Sequence, residues 1–182
     1  KKDEILAILP PDFHLKTFKD FNFTGDIEET EDTFEGNAHI KAQFGYDLTR
    51  ISCFADDSGL VIEALDGAPG VYSARYAGTG SFADNIAKVL KNLDGISNRK
   101  AYFISVICLV TPTGTQYFEG KVHGTISTEI KGAHGFGYDP IFVLDGYTQS
   151  FAEISPEEKN KISHRAIAME KFLQFLKTQQ VF

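Results

Sequence analysis

Only two cysteines occur in 182 residues, and each, Cys53 and Cys108, lies inside an apolar, strand-like run. So sparse a set excludes the disulfide framework of a secreted domain and reads as two buried thiols in a reducing cytosol. Long hydrophobic runs are missing too. No stretch approaches the roughly 18 to 20 apolar residues of a membrane span, and no secretory leader opens the chain. A soluble, cytoplasmic protein without a membrane partner is expected. Basic residues are outnumbered, 18 Lys and Arg against 25 Asp and Glu, for a net charge of −7. A broad nucleic-acid surface needs a basic face, so nucleic acid is excluded as a partner. A polyanionic ligand would then require a local basic pocket or a metal. His and Cys nowhere cluster at zinc-like spacing, which leaves an oxygen-loving metal as the consistent choice. Repeats, low-complexity segments and linkers are absent as well, and a single domain over residues 1–182 is expected.

What is present is enough apolar material for a core: 42% of residues are hydrophobic and 13% aromatic, with 16 Phe. Ile5, Leu6, Ile8 and Leu9 predict a short amphipathic helix that stops at Pro10-Pro11. A second helix should start near Thr33, with Phe34, Ala38, Lys41 and Ala42 at helical spacing, and end before Gly45. Ile51 to Ala55 and Leu60 to Leu65 read as strands, and Asn85 to Leu93 as a helix. Ala101 to Val110 and Gln116 to Val122 form a long hairpin across Thr111-Pro112-Thr113-Gly114. Ser155-Pro156-Glu157-Glu158 is a capping box, and Ser163 could cap a last helix striped by Ala168, Met169, Phe172, Leu173 and Leu176. The order of elements predicts an α/β fold with a mixed sheet.

Two adjacent carboxylates, Asp56 and Asp57, stand where the run Ile51 to Ala55 stops. In Asp56-Asp57-Ser58-Gly59 every residue is an ordinary turn former, and a turn is the simplest reading. Sites nevertheless form beyond strand ends, where consecutive side chains point to opposite faces, so one aspartate could meet a ligand while the other meets structure.

The continuation Gly67-Ala68-Pro69-Gly70-Val71-Tyr72-Ser73-Ala74-Arg75-Tyr76, then Gly135-Phe136-Gly137-Tyr138-Asp139-Pro140, then Ser163-His164-Arg165, changes the odds. In this order the three motifs resemble the inosine triphosphate pyrophosphatase (Ham1-like) family, in register from Lys1 to about Leu176. The family hydrolyses non-standard purine nucleoside triphosphates to monophosphate and pyrophosphate. The resemblance implies an elongated, two-lobed domain with a central cleft, and a homodimer. In the family an N-terminal strand precedes a Thr/Ser-x-Asn-x-x-Lys phosphate loop. By the resemblance Lys1 stands where that loop's lysine belongs, with the strand expected upstream of it.

Hydrolysis of a nucleoside triphosphate needs charge neutralisation on the phosphates and a positioned water, usually through Mg²⁺ on a few carboxylates. The resemblance puts Asp57 forward as metal ligand and catalytic base and Glu29 as second metal ligand, and Asp56 beside them reads as a supporting carboxylate. Glu28 to Asp32 could also be a solvated acidic loop. Lys1, Lys41 and Lys159, and Arg75 beside them, are candidates for the polyphosphate, with Ser58 and the backbone at Gly59 as donors. Arg75 could equally be a structural ion-pair partner. Gly135 and Gly137 flank Phe136, so that the backbone can approach a flat ligand and the ring can stack on a purine, with Gly137, Tyr138 and Asp139 completing the loop. His164 and Arg165 would donate to a 6-oxo group on the base.

Overall fold

Apolar side chains fill nearly every position between residues 100 and 111, and a strand of that kind is stable only when both its faces are covered. The computed structural model describes residues 14–178. The expected helix of Ile5 to Leu9, and Lys1, lie outside the described residues. The elements are α1 (Phe34–Thr49), β1 (Cys53–Ile62), α2 (Phe82–Asn92), β2 (Lys100–Thr111), β3 (Gly114–Ile126), β4 (Phe142–Leu144), α3 (Pro156–Ile162) and α4 (His164–Thr178). They form one sheet in the order β1-β2-β3-β4. Helices and sheet share the fold as expected, but a mixed sheet was anticipated and every pairing among the described strands is antiparallel.

β2 is covered on both sides. Val106, Cys108 and Val110 pack on Phe34, Ala38 and Ala42 of α1. Ile107 and Leu109, with Phe118 of β3, pack on Ala168, Phe172 and Leu176 of α4. Burying one such Phe or Leu contributes about 1.5 to 3 kcal/mol. At the other end of the hairpin Ala101, Phe103, Val122 and Ile126 join Ile86 and Val89 of α2, Leu93 just after it, and the rings of Phe142 and Phe151.

Helix starts follow their caps. Thr33 Oγ1 accepts from Gly36 N at 3.1 Å, Ser155 Oγ from Glu158 N at 3.2 Å and Ser163 Oγ from Ala166 N at 3.2 Å. Two expectations are corrected. Helix α1 does not stop before Gly45 but runs on to Thr49 and ends at Arg50 in the left-handed conformation, φ 57°. Gly45 is there for proximity, because a methyl group at that position would meet the Cys53 side chain on β1. The second correction matters more. Asp56-Asp57-Ser58-Gly59 is no turn between two strands. It is the middle of β1, paired with Ile107, Val106, Ser105 and Ile104 of β2. The mostly apolar β2 opposite supplies a ladder through all four residues, and those hydrogen bonds outweigh their turn preference.

Gly120 fixes how close α4 can lie to the sheet. It stands beside Ser105, which in turn stands beside Ser58. A Cβ at Gly120 would run into the backbone of His164 and Ala168. Gly120→Ala should therefore lower stability by about 1 to 3 kcal/mol through overpacking. A urea midpoint equal to that of the parent would show that α4 is free to shift.

Candidate functional site

Extended backbone turns successive side chains to opposite faces, so β1 divides its polar residues between two helices. Asp57 faces α1, whereas Asp56 and Ser58 face α4.

On the α1 side Lys41 stands between two carboxylates. Its Nζ donates to Glu29 Oε1 at 2.7 Å and to Asp57 Oδ1 at 3.0 Å. Arg75 Nη1 adds a contact to Glu29 Oε2 at 3.3 Å and lies over the Tyr72 ring, 5.3 Å from its centre. Asp57 Oδ2 is buried and has no hydrogen-bond partner. Burial works to raise the Glu29 carboxyl, but hydrogen bonds and charge from Lys41 and then Arg75 outweigh it and hold Glu29 below its ordinary value. Burial alone would lower the Lys41 ammonium; Glu29 and Asp57 raise it instead. Asp57 goes the other way. Burial, helped by the charges of Glu29 and Asp56, lifts its carboxyl above the usual range against the pull of Lys41.

On the α4 side Arg165 Nη2 donates to Ser58 Oγ at 3.1 Å, and Arg165 Nε lies 3.6 Å from Asp56 Oδ2. The His164 ring is buried and stacks on Phe103, with centroids 4.8 Å apart and 12° between planes. Burial first, then the positive charges of Arg165 and Lys159, push this imidazole down to about 3. It is neutral near pH 7.

A third group comes from the glycine-flanked loop. Asp139 is buried, accepts from Phe136 N at 2.6 Å and pairs with Lys159 Nζ. Gly135, φ 92°, has no room for a side chain because Asp139 lies against it, and Gly137 also has positive φ. Phe136 is 62% exposed, with its ring edge-to-face against Phe82 at 4.4 Å.

The structure thus brings together Glu29, Lys41, Asp57 and Arg75 in one cluster, Ser58 and Arg165 in a second, and Phe136, Gly137, Asp139 and Lys159 in a third. Three expectations change. Asp56 stands outside the hydrogen-bonded cluster of Glu29, Lys41 and Asp57, because it points to the other face, and acts on Asp57 through its charge alone. Tyr138 offers no open face to a ligand: it is buried, and its hydroxyl donates to Ser73 O at 2.8 Å. His164 is a buried ring stacked in the core, and its Nδ1 is unpartnered. Ser73 is a residue that sequence reasoning passed over. Its Oγ accepts from Leu60 N at 2.9 Å while its carbonyl takes the Tyr138 hydroxyl, so it ties the aromatic loop to β1. Its place inside the long motif of residues 67–76 was the available signal.

Two carboxylates and a lysine gathered at one face of β1, with a guanidinium at the other, form an arrangement of charges able to meet a cation and an anionic ligand. The description of the Ham1 family matches residues 1–175. A dITP/XTP pyrophosphatase of Porphyromonas gingivalis is 48% identical over 178 residues, 97% of this chain and 92% of the relative. One from Christiangramia forsetii is 45% identical, covering 95% and 92%. The solved Ham1 protein of Staphylococcus aureus superposes with a TM-score of 0.92 at 40% identity, over 96% of this chain and 92% of that one. That of Coxiella burnetii gives 0.90 at 41%, over 97% and 93%. The chain belongs to the Ham1 family.

The depressed imidazole predicts an acid sensitivity whose sign is fixed. His164 takes a proton near 6.5 when unfolded and only near 3 when folded. The unfolded chain therefore binds more protons in that window, and stability drops as pH falls through it. His164→Phe keeps a ring on Phe103 and removes the titration. Between pH 7.5 and 5 the parent should lose about 2 kcal/mol more than this variant in denaturant titrations. Equal losses would mean that His164 is protonated in the fold.

Proposed function

We propose that this protein hydrolyses non-standard purine nucleoside triphosphates, ITP, dITP and XTP, to the monophosphate and pyrophosphate, and so keeps deaminated purines out of the nucleotide pool. The observation that carries the proposal is the Glu29, Lys41 and Asp57 cluster, with an unpartnered buried oxygen on Asp57. The names of the relatives support the substrate class.

The donor set fits Mg²⁺. Glu29 and Asp57 offer hard oxygens, and Mg²⁺ commonly takes one or two carboxylates and fills its other positions with water and phosphate. When bound there, Mg²⁺ neutralises phosphate charge and polarises the bond to be broken. The protein's own side chains do the rest. Asp57, its carboxyl lifted toward the operating pH, takes the proton of the attacking water as the α–β phosphoanhydride breaks. Lys41 and Lys159, with Lys1, meet the charge of the departing pyrophosphate. Phe136 stacks on the base. Arg165 can only donate, so it pairs with O6 of hypoxanthine or xanthine and is left unpaired by the 6-amino group of adenine. Among the described residues no helix is long and apolar enough to cross a membrane. A homodimer of one domain per chain, acting in the cytoplasm, completes the proposal.

Full-length protein with Mg²⁺ should release one pyrophosphate per ITP or XTP and far less from ATP. Equal turnover of ATP, or orthophosphate as the primary product, would sink the proposal. Asp57→Asn keeps the shape but loses the proton acceptor, and its turnover should fall by about 10² to 10⁴ with the thermal melt preserved. An active Asp57→Asn enzyme would place the base elsewhere.

A further inference from the structure

The strand leaves one carboxylate without a part in that chemistry. Asp56 is turned away from Glu29 and Asp57, and its Oδ2 lies 3.6 Å from Arg165 Nε. Two residues on, Ser58 shares the same face and accepts from Arg165 Nη2 at 3.1 Å. A guanidinium is a rigid plane. The hydrogen bond from Nη2 to Ser58 holds one edge of that plane, and the charge of Asp56 draws the Nε edge, which has no hydrogen-bond partner of its own, toward the same face of the strand. Arg165 itself rides on the first turn of α4, whose height above the sheet is set by backbone contact at Gly120.

Asp56 and Arg165 are each close to half exposed, at 43% and 42%. A pair so open to water contributes little to stability. What the contact can supply is orientation, and displacement of a recognition group by about 1 Å can cost as much as 10²-fold.

We infer that Asp56, together with Ser58, holds the Arg165 guanidinium in the orientation that reads the purine 6-position, and is a specificity-determining positioning residue that need not touch the ligand. The inference deepens the function proposed above and rests on it. It also joins two tasks on one strand: Asp57 serves the phosphate end, and its neighbour serves the base end from the opposite face.

Binding of IMP and AMP by calorimetry tests it without requiring turnover. Asp56→Ala should lower the ratio of IMP to AMP affinity about tenfold. Asp56→Asn, which keeps the shape and removes the charge of the ion pair, should give a similar drop, whereas Asp56→Glu, which keeps the charge, should restore most of the ratio. In an Arg165→Ala background Asp56→Ala should change the ratio no further. Ser58→Ala removes the second hold and should give the same pattern, deciding the matter if the Asp56→Ala protein does not fold. An unchanged ratio in both single variants, an equal drop with and without Arg165, or a parent that binds IMP and AMP alike would overturn the inference. Pyrophosphate release from ITP, measured on the same preparations, separates the two claims. A parent that fails to release pyrophosphate defeats the proposed function, while the binding ratios still decide the role of Asp56.

Discussion

The antiparallel ladder between β1 and β2 is the constraint on which the site depends. It holds Asp56, Asp57, Ser58 and Gly59 extended, in one register, against Ile107, Val106, Ser105 and Ile104. The side-chain period of a strand is two, so the ladder decides which polar residue meets which helix. A slip of one residue would exchange Asp57 for its neighbours on the Lys41 side and carry the apolar residues of β1 out of the core. The register is anchored by packing, since Leu60 and Ile62 are fully buried. The polar residues Asp56, Asp57 and Ser58 just before them inherit a geometry that the apolar residues define.

Charge balance follows from that geometry. Glu29, Asp57, Lys41 and Arg75 carry two charges of each sign within hydrogen-bond reach of one another. Burial penalises both carboxylates, yet the outcomes differ: Glu29 is held low by two cations, whereas Asp57 is lifted because Lys41 cannot offset its burial and the two nearby carboxylates. Two carboxylates bound to the same lysine are thereby pushed apart in acidity. Such a split is what assigns one group to hold charge and another to move a proton.

Much of this was legible beforehand, and the parts that were not share a cause. The hairpin, the helix start near Thr33, the caps at Ser155 and Ser163, and the apolar stripe of α4 all rest on neighbours a few residues apart, which a sequence displays directly. Glu29, Lys41 and Asp57 were legible as a group only through the resemblance, and the structure does bring them together. The misreadings involve partners far along the chain. Asp-Asp-Ser-Gly has turn chemistry, and only β2, about 50 residues later, makes it a strand. Tyr138 meets Ser73 across a sequence separation of 65, and Arg165 meets Ser58 across 107. Local composition carries no record of such contacts.

The glycines show why those distant partners arrive so accurately. Gly45 lets α1 close on Cys53, and Gly120 lets the backbone of α4 rest on β3. Each removes a methyl group where a helix crosses the sheet: at Gly120 backbone lies against backbone, and at Gly45 the helix backbone lies against the Cys53 side chain. Lys41 lies one turn before Gly45 on α1, and Arg165 opens the helix that Gly120 admits. The two cations that reach β1 from opposite faces therefore sit close to a helix–sheet contact of minimal slack. Rigidity at Gly120 matters most for Arg165 beside Asp56, because a half-exposed pair alone holds a long side chain only loosely, whereas the Lys41 and Asp57 pair is largely buried and hydrogen-bonded as well.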